Sequence, residues 1–266
     1  FLEAIDNGRE IVEAPLRFDG GSYRFDPAAF EAAITAKTKI FFLCNPHNPT
    51  GNVWTREELR QMGEICLRHG ILVVADEIHQ DLIFNPRRKH IPFASLDEEL
   101  ARNSIVCTAP SKTFNLAGMK CSNLFIANDR LRGEVQRSLA RHGLTFVNML
   151  GAVACEAAYR HGEPWLNDLL AYVRENHRHF ATTVHQSIPA FRVLETDALY
   201  LAWMDGRELG MPAGELEKFM LTKARVWFDR GSKFGRQGEG FLRVNLACPR
   251  SRIDEALERM KKALPA

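Results

Sequence analysis

The sequence lacks the features that mark membrane-spanning, secreted and disulfide-rich proteins. No apolar stretch approaches the roughly 20 residues that a membrane-spanning helix needs, and no charged-then-apolar signal segment opens the chain. The six cysteines show no CxxC spacing, and most lie in apolar runs such as FFLC and SIVC. These absences predict a cytoplasmic protein with buried, reduced thiols and without a metal site.

An excess of charge of one sign is also absent. The chain has 35 lysines and arginines against 33 aspartates and glutamates, and the basic residues are scattered rather than clustered. This balance favours neither nucleic acid nor a membrane as a partner, so a small molecule is the expected ligand. With 266 residues, of which 45% are hydrophobic, the chain can bury one large core or two smaller ones.

Apolar runs alternate with amphipathic stretches between residues 37 and 128. The runs are KIFFLCNP, ILVVADE, SIVCTAP and CSNLFIAN, and their alternation with amphipathic stretches predicts an α/β layer with a mostly parallel, buried sheet. Thr55 and Glu58 have the spacing of a capping box. Apolar residues then recur at helical intervals until Gly70 ends the predicted helix.

The pattern becomes helical after residue 129 and returns to strand-like runs towards the carboxyl end. The strand-like runs include FRVLETDALYLAWMD, RVWFD and FLRVNLACP, and a last helix begins at Ser251. This order predicts a second α+β domain that begins near Glu163. We therefore expect a large domain over residues 1–160 and a small domain over residues 161–266.

Polar residues follow three of the predicted strands at the point where each strand ends. KIFFLCN leads into PHNPTG, ILVVA leads into Asp76 and His79, and SIVCTAP leads into Ser111 and Lys112. Ligand crevices of open α/β sheets lie at the carboxyl ends of the strands. The sequence therefore predicts that these polar groups face one crevice.

Each of these segments also has a simpler interpretation when it is taken alone. The NPHNPTG segment can be only a turn, since Asn, Pro and Gly dominate turns for steric reasons. Asp76 can be a surface acid, Lys112 a solvated lysine, and His79 a histidine that is satisfied at a helix start. Only the combination of the segments, in this order, indicates a functional site.

Four segments in order, HNPTG, DEIH, SKTFNLAG and FLRVNLACPR, resemble the fold type I pyridoxal 5′-phosphate (PLP) enzymes, the aspartate aminotransferase superfamily. Within it, NPHNPTG, VVADEIHQDLIF and APSKTFNLAG look most like the branch of cystathionine β-lyases and C–S lyases. The resemblance implies a three-layer, mostly parallel PLP-binding domain, a smaller C-terminal α+β domain, and a homodimer.

The resemblance also implies roles for individual residues. Lys112 would be the lysine that carries PLP as a Schiff base, and Asp76 would be the partner of the pyridine nitrogen. Asn48 would donate to the phenolic oxygen of the cofactor and contact the substrate. His79 stands where aminotransferases generally have a tyrosine that touches the same oxygen. Arg243 would bind the α-carboxylate of an amino acid substrate.

These residue types suit the chemistry of PLP apart from any family. The PLP ring accepts electrons from the α-carbon better when its nitrogen is protonated, and the Asp76 carboxylate would hold that proton. A lysine amine can form an imine with the cofactor, as Lys112 would. The planar guanidinium of Arg243 offers two parallel donors that match the oxygens of a carboxylate. Binding a carboxylate would also explain why a charged residue stands in an apolar strand.

The chain departs from the superfamily pattern at the expected phosphate site. Ala109 replaces a small hydroxyl residue, and Lys120 replaces an arginine that binds phosphate. Lysine can still bind phosphate as a point charge, so Lys120 and Ser111 are the candidate phosphate ligands. Residues 1–37 have no glycine-rich phosphate turn or stacking aromatic, and Phe1 stands where Met is usual, so we expect the chain to lack roughly a third of the enzyme.

The sequence is compatible with three functions, of which we predict the first, with the second as the alternative. The first is β-elimination from cystathionine or a related cysteine conjugate, which yields a thiol, pyruvate and ammonia. The second is amino-group transfer to a 2-oxo acid, which would use the same residues. The third is a non-catalytic regulatory module, since aminotransferase-like domains also occur fused to DNA-binding domains. The apolar segment NMLGAVACEAA can serve a dimer interface or the core, and we predict the core.

Overall fold

The structure is a computed structural model. It describes residues 2–212 and 214–264, except for the side chains of residues 2 and 3. The prediction about Phe1 lies outside the described residues. In chain order the strands are β1 (Arg17–Phe18), β2 (Tyr23–Arg24), β3 (Ile40–Cys44), β4 (Leu72–Asp76), β5 (Ser104–Thr108), β6 (Asn123–Phe125), β7 (Arg192–Val193), β8 (Leu201–Asp205), β9 (Asp229–Arg230) and β10 (Phe241–Asn245). The helices are α1 (Leu2–Asp6), α2 (Pro27–Ala32), α3 (Arg56–Arg68), α4 (Glu98–Arg102), α5 (Pro110–Thr113), α6 (Asp129–Arg141), α7 (Met149–His161), α8 (Glu163–Ser187), α9 (Glu215–Phe219) and α10 (Arg250–Ala263).

The first large sheet has the strand order β3-β4-β5-β6. Strands β3, β4 and β5 are parallel, and β6 pairs with β5 in the antiparallel direction. The register sets Cys44 beside Asp76 and Asp76 beside Cys107, so the three parallel strands end at one edge of the sheet. This is the mostly parallel α/β layer that the alternating pattern predicted.

Helix α3 covers one face of this sheet and begins at the predicted capping box. The Thr55 hydroxyl accepts from the Glu58 backbone N–H at 3.2 Å, and the Glu58 carboxylate accepts from the Thr55 backbone N–H at 2.8 Å. The helix buries Leu59, Met62 and other apolar residues against the sheet. Two donors that a helix end leaves unpaired are thereby satisfied, as the spacing predicted.

The second large sheet is antiparallel, with the order β7-β8-β10-β9. Helices α8, α9 and α10 contribute to a separate core with β8 and β10, in which Phe180, Met204, Leu242 and Met260 are almost fully buried. Two sheets of different type, each with its own core, give an α/β part followed by an α+β part. The boundary between residues 160 and 161 stays a prediction.

Two predictions about burial are wrong in this structure. The amino-terminal half of α7 was expected in the core, but Met149 is 79% exposed and Leu150 is 70% exposed. All six cysteines are free, and only Cys66 is fully buried while the others are partly accessible. The face of β3 that is turned away from the core under α3 is also open to solvent, since Phe42 is 69% exposed. Apolar sequence alone does not show which apolar face finds a partner.

Within the described residues, no helix combines the length and the apolar character that crossing a membrane requires.

Candidate active site

The carboxyl edge of β3, β4 and β5 brings together the residues that the sequence singled out. Asp76 is the last residue of β4, and Lys112 lies on α5, the short helix that follows β5. The charge of Lys112 acts on both Asp76 and His79, and the charge of Arg243 acts on His79. These four residues therefore share one electrostatic environment.

Asn48 joins the two sheets through a contact with Arg243. The Nη1 group of Arg243 on β10 donates to the Asn48 Oδ1 atom at 3.0 Å, across 195 residues of sequence. Because Asn48 Oδ1 accepts this bond, the Nδ2 group of the same amide remains a hydrogen-bond donor. The contact places a residue of the second sheet directly beside the loop that follows β3.

A close fit holds the loop of Asn48 in place. Gly51 has a φ of +71°, and a Cβ atom added there would lie 1.6 Å from Thr196 Oγ1 and 2.8 Å from the carbonyl oxygen of Ala198. The backbone N–H of Gly51 donates to the carbonyl of His47 at 2.7 Å. A glycine is therefore required at this turn for both conformation and space.

Asp76 is exposed at the edge of the sheet, and nearby protein atoms nevertheless desolvate its carboxylate enough to raise its pKa. Two interactions lower the pKa of Asp76: the hydrogen bond from the Ile78 backbone N–H, at 3.1 Å, and the charge of Lys112. They do not cancel the increase that desolvation causes. A carboxyl group with a raised pKa and an open face can share a proton with a basic nitrogen.

His79 is buried and neutral at physiological pH. Desolvation lowers its pKa to about 4, and the charges of Lys112 and Arg243 act in the same direction. Its Nδ1 atom is buried and has no hydrogen-bond partner. A buried nitrogen without a partner costs free energy unless a ligand satisfies it.

Glu77 points into the protein, opposite to its neighbour Asp76. Its carboxylate accepts from the Phe93 backbone N–H at 2.7 Å and lies 2.9 Å from the His90 Nε2 atom. Side chains alternate between the two faces of a strand, which explains why adjacent acids diverge. Glu77 therefore anchors the segment near His90, and Asp76 alone faces the crevice residues.

The structure places Ser111 and Lys120 on the segment around Lys112. Ser111 is half-buried beside Lys112 on α5, whereas Lys120 is exposed and has a φ of +52°. Their assignment as phosphate ligands stays a prediction.

Three residues near the site were missed by the sequence reasoning. Asp229 lies opposite Arg243 in the β9–β10 pair, and its Oδ2 atom accepts from Arg243 Nη2 at 2.6 Å. Tyr200 is close enough for the Arg243 charge to act on its hydroxyl. Asp81 accepts a hydrogen bond from the Thr113 hydroxyl at 2.8 Å, next to Lys112. The sequence shows Asp229 as an acid at the end of the run RVWFD. It does not show that Asp229 lies opposite Arg243 in the strand pair.

A comparison with protein families identifies the family of the chain. The model of the family "Aminotransferase class I and II" matches residues 4–260. The chain belongs to this aminotransferase family. Its similarity to cystathionine beta-lyase PatB of Bacillus subtilis is 41% identity, over 97% of this chain and 67% of that protein.

Solved structures of other members have the same fold. Cystalysin from Treponema denticola, described as containing a pyridoxal 5′-phosphate cofactor, superposes with a TM-score of 0.94 at 38% identity, over 99% of this chain and 67% of that one. The PLP-bound C–S lyase from Staphylococcus hominis superposes with a TM-score of 0.88 at 31% identity, over 99% of this chain and 67% of that one. This aminotransferase-family chain thus spans about two thirds of the length of these proteins.

The residues present fit PLP at the ring. A carboxylate with a raised pKa, Asp76, suits a protonated ring nitrogen, and the Asn48 amide offers Nδ2 as a donor to an anionic oxygen. The unpartnered Nδ1 atom of His79 offers a further polar contact. Lys112 is the amine that could bind the cofactor covalently.

Proposed function

We propose that this protein is a PLP-dependent carbon–sulfur β-lyase that cleaves cystathionine or a related cysteine S-conjugate. The proposal rests on the convergence of five residues beside the carboxyl edge of the first sheet, which brings an amine, an acid and an arginine together. These residues are Asp76, Lys112, His79, Asn48 and, from the second sheet, Arg243. The similarity to cystathionine beta-lyase PatB and to the PLP-bound C–S lyase from Staphylococcus hominis favours β-elimination among the reactions of the family.

The chain's own residues would hold the cofactor at several points. Lys112 Nζ would bind it covalently, Asp76 would keep its ring nitrogen protonated, and Asn48 and His79 would contact its ring oxygen. Ser111 and Lys120 would contribute to the phosphate contacts. When bound, PLP supplies an acceptor for the electron pair that is left on the substrate α-carbon.

Arg243 would bind the substrate, and Lys112 would take its proton. The guanidinium of Arg243, held by Asn48, would bind the α-carboxylate and thereby fix the orientation of the α-carbon. Once the substrate amine has taken its place on the cofactor, the freed Lys112 Nζ would remove the α-proton as a general base. Loss of that proton and of the β-thiolate, followed by hydrolysis, gives a thiol, pyruvate and ammonia.

Pyruvate release tests the reaction directly. The full-length protein loaded with PLP is expected to form pyruvate from cystathionine without any 2-oxo acid acceptor. The Lys112→Ala variant is expected to lose both this activity and the visible absorption band of the bound cofactor. An absorption band that survives the substitution would show that Lys112 is not the residue that binds PLP.

The second candidate function is an aminotransferase of the same family. The match to the family "Aminotransferase class I and II" favours this candidate. Every site residue named above could serve amino-group transfer equally. The two functions differ in their need for an acceptor. If product forms only after 2-oxoglutarate is added, the lyase proposal is wrong and the aminotransferase proposal is supported.

The full-length protein is proposed to act as a cytoplasmic homodimer. Exposed apolar side chains near the start of α7, including Phe146 at 93% exposure and Met149 at 79%, would be covered by such an assembly. Light scattering of the full-length protein measures the mass, and a monomer at micromolar concentration would contradict the proposal.

A further inference from the structure

Arg243 has a fixed neighbour on the adjacent strand. Asp229 on β9 is the direct cross-strand partner of Arg243 on β10. Directly opposed residues of an antiparallel pair project from the same face, with Cβ atoms roughly 5 Å apart. The Asp229 Oδ2 atom accepts from Arg243 Nη2 at 2.6 Å. The backbone pairing thus keeps the carboxylate and the guanidinium together.

Lys233 secures the second oxygen of the same carboxylate. Its Nζ atom lies 2.6 Å from Asp229 Oδ1. Partial desolvation raises the pKa of Asp229, but the hydrogen bonds and charges of Lys233 and Arg243 outweigh it and hold the pKa below its usual value. Asp229 is therefore ionised at neutral pH, and each of its oxygens has a cationic partner.

The contacts around Arg243 limit which of its donors can reach a ligand. Its Nε atom is buried without a partner, and its Cζ atom lies over the Phe234 ring, 4.8 Å from the ring centre. Asn48 accepts from Nη1 and Asp229 accepts from Nη2. A guanidinium carries two N–H groups on each terminal nitrogen, so one remains on Nη1 and one on Nη2.

Two remaining N–H groups on the terminal nitrogens match the two oxygens of a carboxylate. Asn48 and Asp229 occupy one donor on each terminal nitrogen and restrict rotation of the guanidinium. Phe234 restricts its tilt. The conformational freedom that an unrestrained arginine would lose on binding a substrate is therefore already restricted before binding.

We propose that Asp229, secured by Lys233, is a positioning residue that orients Arg243 for the α-carboxylate of the substrate. Asp229 itself does not touch the substrate. The inference rests on the proposed role of Arg243 in binding that carboxylate. It adds a specificity-determining pair, Asp229 and Lys233, to the site of the proposed function.

A binding experiment on the full-length holoenzyme separates positioning from general stabilisation. The probe is 2-aminoisobutyrate, which has no α-proton to lose, and the comparison ligand is its α-amide, which has no carboxylate. Dissociation constants are measured by calorimetry for the unmodified protein and for Asp229→Ala. The substitution is expected to weaken binding of the acid about 10- to 100-fold and to leave binding of the amide unchanged.

Three further variants sharpen the comparison. Asp229→Asn keeps an oxygen acceptor and is expected to restore most of the affinity for the acid. Lys233→Met removes the partner of Asp229 Oδ1 and is expected to weaken binding of the acid but not of the amide. This variant tests the inference even if Asp229→Ala does not fold. The matched control Asp205→Ala breaks a comparable pair with Arg207 in the same sheet, and it is expected to change neither affinity.

Each alternative result has a distinct meaning. Equal weakening of acid and amide by Asp229→Ala would overturn the inference in favour of a structural role. Tighter binding of the acid would overturn it by showing that Asp229 competes with the substrate for Arg243. If the unmodified protein does not prefer the acid over the amide, the proposed role of Arg243 fails together with the inference.

Discussion

Lys112 reaches the crevice from a helix of only four residues, Pro110–Thr113, which cannot fix its position by itself. Contacts outside the helix must do so. The buried Thr113 hydroxyl donates to Asp81, and Phe114 packs against the Tyr159 ring at 5.5 Å and the Trp165 ring at 6.1 Å. The lysine turn is therefore anchored at its carboxyl end.

The Thr113→Val substitution tests this anchor. It removes the hydroxyl donor and leaves a half-buried oxygen of Asp81 without this partner, so the free energy of unfolding is expected to fall by about 1–3 kcal/mol. Urea denaturation of the chain measures the change. The matched variant Thr113→Ser keeps a hydroxyl and is expected to retain most of the stability. Equal losses in both variants would contradict the importance of this hydrogen bond.

The loop between β3 and α3 shows at the element scale how one glycine fits two segments together. The Asp197 backbone N–H donates to the Gly51 carbonyl at 3.3 Å, and Gly51 packs against Thr196 and the carbonyl of Ala198. The loop that carries Asn48 thus contacts the segment that leads into β8. A shift of this loop would move Asn48 away from Arg243.

Replacement of Gly51 by alanine is expected to lower the free energy of unfolding by roughly 2–5 kcal/mol, since strain at positive φ and the clash with Thr196 add together. Gly70→Ala is the matched control, because Gly70 also has a positive φ but has open space at its Cβ position. That control is expected to lose only about 1–2 kcal/mol. Chemical denaturation compares the two, and equal losses would show that the clash is relieved at no cost.

At the scale of the whole molecule, three imidazole rings are desolvated by surrounding protein atoms: His79 and His177 are buried, and His47 is partly exposed. Desolvation lowers the pKa of His47, His79 and His177 to about 4. In the unfolded chain a histidine has a pKa near 6.5. The unfolded state therefore binds more protons between pH 6.5 and 4, and stability is lost as the pH falls through this range.

Acidification from pH 7 to pH 5 is expected to reduce the free energy of unfolding by roughly 1–2 kcal/mol for each deeply buried histidine. The raised pKa of Asp76 acts in the opposite direction and removes a smaller part of the effect. Urea denaturation at several pH values measures the slope. His177→Gln is expected to reduce it, whereas substitution of the exposed His161 is the control. A stability that stays constant down to pH 5 would contradict the burial of these rings.

Local patterns in the sequence predicted much of the first sheet and part of the site. The capping box at Thr55 begins α3 because the two side chains that form it lie three residues apart. Asp76 ends an apolar strand, so its place at the sheet edge also follows from local sequence. The identities of Lys112 and Arg243 were available because they stand in distinctive segments. Their roles stay proposals.

The sequence by itself thus determined the alternating strands and helices and the residue types at the strand ends, because short-range sterics and periodicity decide them. Only the tertiary structure paired Asp229 with Arg243, joined Asn48 to the second sheet and left the start of α7 exposed. Strand register and the partner of an apolar face depend on packing between segments far apart in the chain. No local pattern encodes that packing.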